Sequence, residues 1–161
     1  MDFTPVSGDF RDAFNLFAIV SANPHECHPI AWTIGRENGD LHSFVAFTKH
    51  LICSGWFGHD EILVMDNAAI HTSGEADVVE GLLWNTIVKG RALSVLTAFL
   101  PTRSPELNPT ELAFHILARQ IQFFKCRAAG PCADLVLHQA NRGLFDVDCG
   151  LILRCFTHCG C

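Results

Sequence analysis

The sequence predicts a single α/β domain, and three observations carry that reading. Short apolar runs of strand length alternate with stretches of helical period. One run, Ile62-Leu63-Val64-Met65, is continuously apolar and ends on an acid, Asp66. A proline-rich loop, Pro101 to Pro109, then leads into a further helical stretch. With 161 residues, 49% of them hydrophobic and 17% charged, the chain can bury an ordinary core.

The elements follow in order. Phe14 to Ser21 and Pro29 to Ile34 are apolar runs of strand length on either side of the turn-rich Ala22 to His28, which predicts an antiparallel pair. After Asn38-Gly39-Asp40, the residues Leu41, Phe44, Val45, Thr48, Leu51 and Ile52 share one helical face, and Gly55 ends the pattern. Glu61 to Met65 reads as a strand buried on both faces. A second helix fits Glu75 to Val88 with Val78, Val79, Leu82, Leu83 and Ile87 inward, and a strand fits Leu93 to Phe99. The three prolines from Pro101 to Pro109 exclude a continuous helix there, whereas Leu117, Ile121 and Phe124 recur at helical spacing beyond Pro109. Further on, Ala133 to Ala140 and Gly150 to Cys155 fit short helices.

Composition narrows the function classes. No apolar stretch reaches the roughly 20 residues of a membrane span, because Lys49, His50, Asp60 and Glu61 interrupt the most hydrophobic region. Met1 to Pro5 lacks the basic flank and apolar run of a secretory signal. The expectation is a soluble intracellular chain with no membrane partner, its eight cysteines held as thiols. A formal net charge of -6 is opposite to that of a free-standing nucleic-acid binder, so contact with DNA calls for a local basic surface or another segment.

Two phrases carry the chemistry. Asp66 closes an apolar strand, and the carboxyl ends of such strands face the crevice where α/β proteins bind ligands. It reads either as a ligand or as a turn residue that accepts backbone N–H bonds. Glu111 is equally two-sided. Asn108 fits an N-cap, Pro109 the first helical position and Glu111 the third, a capping-box pattern, so the carboxylate is either a cap or a ligand.

The phrases VMDNAAIH (Val64 to His71) and LPTRSPELNPTE (Leu100 to Glu111) closely resemble the second and third motif blocks of DDE transposases of the Tc/mariner and pogo type. The resemblance covers roughly Phe14 to Lys125. It implies a ribonuclease-H-like fold, a mixed sheet flanked by helices, in which three carboxylates bind two Mg²⁺ or Mn²⁺ ions. The implied reaction is DNA strand cleavage and strand transfer on transposon ends and target DNA, by a chain that commonly forms a homodimer and is nuclear in a eukaryote. Asp66 is then the second and Glu111 the third catalytic, metal-binding carboxylate. Asn67, His71, Asn108 and Arg103 are the implied supporting residues: His71 belongs to the DNxxxH block, and Arg103 can meet a phosphate. Each also has a purely structural reading as a turn, cap or solvated loop residue.

The chain departs from the family pattern in one respect. The first catalytic aspartate of such enzymes ends a strand upstream of the Phe14 run, and none of Asp2, Asp9 and Asp12 ends an apolar run. An amino-terminal helix-turn-helix is also not seen. The expectation is a truncated catalytic core, with 1–13 unassigned, 14–125 a partial DDE domain and 126–161 its cysteine-rich extension. Such a core is inactive alone; the alternative is a noncatalytic, domesticated remnant that binds DNA or protein. A rival expectation rests on His25, Cys27 and His28, and on Cys155, His158, Cys159 and Cys161. These are enough soft ligands for a structural Zn²⁺, although neither cluster has common zinc-finger spacing.

Overall fold

Strand β1 (Asn15–Val20) pairs antiparallel with β2 (Ile30–Gly35), from Asn15 opposite Gly35 to Val20 opposite Ile30. The chain is seen here in a computed structural model that describes residues 15–23, 30–35, 40–66, 76–102, 104–125 and 133–160. Both faces of this hairpin are apolar, and the period of two sorts them. Phe17, Ile19 and Ala31 face one hydrophobic cluster, whereas Leu16, Ala18, Val20, Trp32 and Ile34 face another around Ile30 and Leu144.

Helix α1 (Leu41–Cys53) covers the first face. Asp40 caps it by accepting from the Ser43 N–H at 2.8 Å, and Phe44, Phe47, Thr48 and Leu51 point inward. The Phe17 ring lies 6.0 Å from the rings of both Phe44 and Phe47. Thr48, buried among these apolar side chains, turns its hydroxyl back to the Phe44 carbonyl at 3.0 Å, so no polar atom is stranded. Gly55, at φ 73°, closes the helix in a Schellman motif: Gly55 N–H donates to Ile52 O and Trp56 N–H to Leu51 O.

Strand β3 (Ile62–Met65) pairs with β6 (Leu96–Phe99), and the pair is parallel, Ile62 opposite Leu96 and Met65 opposite Phe99. Between them run helix α2 (Ala76–Asn85) and a small hairpin, β4 (Ile87–Val88) with β5 (Arg91–Ala92). The described strands thus form three two-stranded sheets. Helix α3 (Pro109–Lys125) follows the proline loop, and α4 (Ala133–Phe145) and α5 (Cys149–His158) complete the described chain. Helix α4 packs on the second face of the first hairpin. There the Trp32 indole N–H donates to Asn141 Oδ1 at 2.9 Å, and its ring meets Phe145 edge-on at 4.8 Å.

The structure corrects three expectations. The second helix stops at Asn85 rather than Val88. The carbonyls of Leu83 and Trp84 accept from the N–H groups of Val95 and Ser94, which takes the bonds that a further helical turn would need. Val79 and Leu83 are buried as expected, but Val78 is 51% and Ile87 65% exposed. The strand expected from Leu93 begins only at Leu96, because Leu93 to Val95 bond to the end of α2 and its following residue rather than to a sheet. Lys89 and Gly90, at φ 51° and 81°, supply the two left-handed residues of a tight hairpin turn. Finally, β3 is covered on one face only. Leu63 and Met65 join the core, whereas Ile62 and Val64 are 63% and 55% exposed, with Leu96 beside them.

Candidate active site

Parallel pairing places the candidate site. In a parallel pair both strands end on the same side, so Asp66, directly after β3, and the loop that leaves β6 toward Glu111 start from the same carboxyl end. The Leu100 N–H donates to Met65 O at 2.8 Å, which carries the ladder one step past the strands and holds Asp66 beside the start of that loop. Asp66 is half-buried.

The loop folds back under its prolines. Pro105–Leu107 form one 3-10 turn, in which Leu107 N–H donates to Ser104 O and Asn108 N–H to Pro105 O. Asn108 then starts α3. Its Oδ1 accepts from the Thr110 N–H at 3.0 Å, and its carbonyl accepts from the Glu111 N–H at 3.1 Å. This is the N-cap geometry expected for Asn108.

The same bonds bear on Glu111. A capping box needs the Glu111 carboxylate to reach back to the Asn108 N–H, but that N–H already donates to Pro105 O at 3.0 Å. The cap is therefore one-sided, and the half-buried Glu111 sits in the first turn of α3 with its carboxylate not engaged by the cap. Of the two readings that the sequence left open for Glu111, the reciprocal cap is not formed.

Other expected residues fall elsewhere. Asn67, His71 and Arg103 lie outside the described residues, as do Asp2, Asp9, Asp12, His25, Cys27, His28 and Cys161. Asp60 and Glu61 stand at the opposite, amino end of β3, where Asp60 pairs with Arg91 and the Asp60 N–H donates to Leu93 O. Among the described residues no three His, Cys, Asp or Glu side chains converge as a metal site. Cys53 and Cys155 are free thiols, and burial pushes the Cys155 thiol pKa up.

The side chains of Asp66 and Glu111 offer carboxylate oxygens, which suit a hard divalent ion, but two carboxylates do not by themselves enclose one. Asp66 directly follows β3, Glu111 stands in the first turn of α3, and the loop that leads to Glu111 leaves the same carboxyl end of the parallel pair. The family model of the DDE superfamily endonucleases matches residues 11–128, and the chain belongs to that family. Members are typically dependent on a divalent metal and generally act on DNA. No curated protein and no solved structure matches the chain. No helix among the described residues is long and apolar enough to cross a membrane.

Proposed function

We propose that this chain is part of the catalytic core of a DDE transposase of the Tc/mariner and pogo kind, with a ribonuclease-H-like arrangement of its strands. Residues 14–125 form that core and 126–161 its cysteine-rich extension. Asp66 and Glu111 act as the second and third carboxylates of the triad. The observation that carries this reading is the parallel β3–β6 pair, whose carboxyl end launches both Asp66 and the loop to Glu111.

Each residue has a definite task. Asp66 and Glu111 present hard oxygen donors, Asn108 fixes the first turn of α3 on which Glu111 sits, and the rigid Pro101 to Pro109 loop limits the freedom of that turn. Asn67 and His71 shape the edge of the site, and Arg103 meets a DNA phosphate. A divalent ion, Mg²⁺ or Mn²⁺, would supply Lewis-acid activation of a phosphodiester and its attacking hydroxyl. Two carboxylates are an incomplete clamp for that chemistry, and none of Asp2, Asp9 and Asp12 ends an apolar run that could aim a third.

The chain is therefore read as inactive in strand cleavage by itself. A purified sample mixed with supercoiled plasmid and Mg²⁺, or Mn²⁺, leaves the plasmid closed. Robust nicking that disappears in Asp66→Ala would overturn the inactivity and uphold the site; nicking that persists in both Asp66→Ala and Glu111→Ala would overturn the site itself. The second reading, a noncatalytic DNA- or protein-binding remnant, is favoured by the same lack of a third carboxylate among the described residues at that end of the sheet. Its DNA-binding form predicts retarded migration of duplex DNA by both the parent and Asp66→Ala proteins, weakening steeply with added salt.

A further inference from the structure

We draw no further inference here: the strongest candidate, the apolar surface that Ile62, Val64 and Leu96 expose on the outer face of the β3–β6 pair, is an unpartnered sheet face, and nothing in the structure shows what covers it.

Discussion

Asn108 makes three backbone-directed bonds within two adjoining turns, and the Glu111 carboxylate makes none of them. The Asn108 side chain satisfies the Thr110 N–H, its N–H closes the 3-10 turn on Pro105, and its carbonyl receives Glu111 N–H. Replacing the amide by a methyl leaves the Thr110 donor to water and costs about 1 kcal/mol. Asn108→Ala is thus expected to lower the urea midpoint. Glu111→Gln, by contrast, keeps the size of a side chain that the cap does not use, and its effect stays within about 0.5 kcal/mol. A Glu111→Gln loss as large as that of Asn108→Ala would show that the carboxylate is a cap after all. Asp40 offers a second test at this scale. The Ser43 N–H bonded to its carboxylate lowers the Asp40 pKa below the ordinary 3.8. A depressed pKa stabilises the fold above the unfolded value, and the benefit is lost as pH falls through the folded one. The stability advantage of the parent over Asp40→Ala should be full at neutral pH and shrink in an acid titration below 3.8.

At the scale of elements, α2 shows how tertiary bonds override a helical pattern. Its apolar residues continue in helical register to Ile87, yet the strand-ward segment Leu93 to Val95 folds against the end of the helix, and Val95 and Ser94 take its last carbonyls. Leu83 is fully buried and Val78 half-exposed, although the periodicity set both inward. Leu83→Ala is accordingly expected to destabilise by about 2–5 kcal/mol, through lost transfer energy and the cavity left behind. Val78→Ala, with its side chain in water, should change stability by about 0.5 kcal/mol or less. Chemical denaturation of the two variants separates the observed helix from the expected one, since a Val78 that faces the core would cost several times more.

Among the described residues, two apolar clusters lie on opposite faces of the first hairpin. One joins α1, α2 and the inner face of β3 with Leu93 and Val95; the other joins the hairpin to α4. This arrangement leaves the outer face of the β3–β6 pair apolar and open, with Ile62 63% and Leu96 53% exposed, on a sheet that has two strands among the described residues. Exposed apolar sheet surface of this kind favours self-association. Size-exclusion chromatography across a concentration series should show growing higher-order species for the parent. Ile62→Lys should reduce them with little change in the unfolding midpoint, whereas a parent that stays monodisperse at high concentration would end that expectation.

Much of the architecture was legible because local chemistry dictates it. The shared face from Leu41 to Ile52 and the Gly55 stop define α1, two apolar runs around a turn-rich segment define the antiparallel β1–β2 pair, and the Asn108-Pro109 pair starts α3. The phrases Val64 to His71 and Leu100 to Glu111 pointed to the DDE superfamily by resemblance, and the family model matches residues 11–128. Other features could not be read from the chain. Whether Ile62 and Val64 are covered depends on what lies across the sheet, and the end of α2 depends on bonds from residues about ten positions later. The same holds at the site. The sequence by itself determined which acids stand at the ends of which elements. Only the tertiary structure decided that β3 and β6 run parallel, so that both elements open on one side, whereas the local 3-10 turn in which Pro105 takes the Asn108 N–H is what leaves Glu111 outside the cap. Capping and strand propensities act over a few residues, whereas strand direction is settled by the packing of segments far apart in the chain.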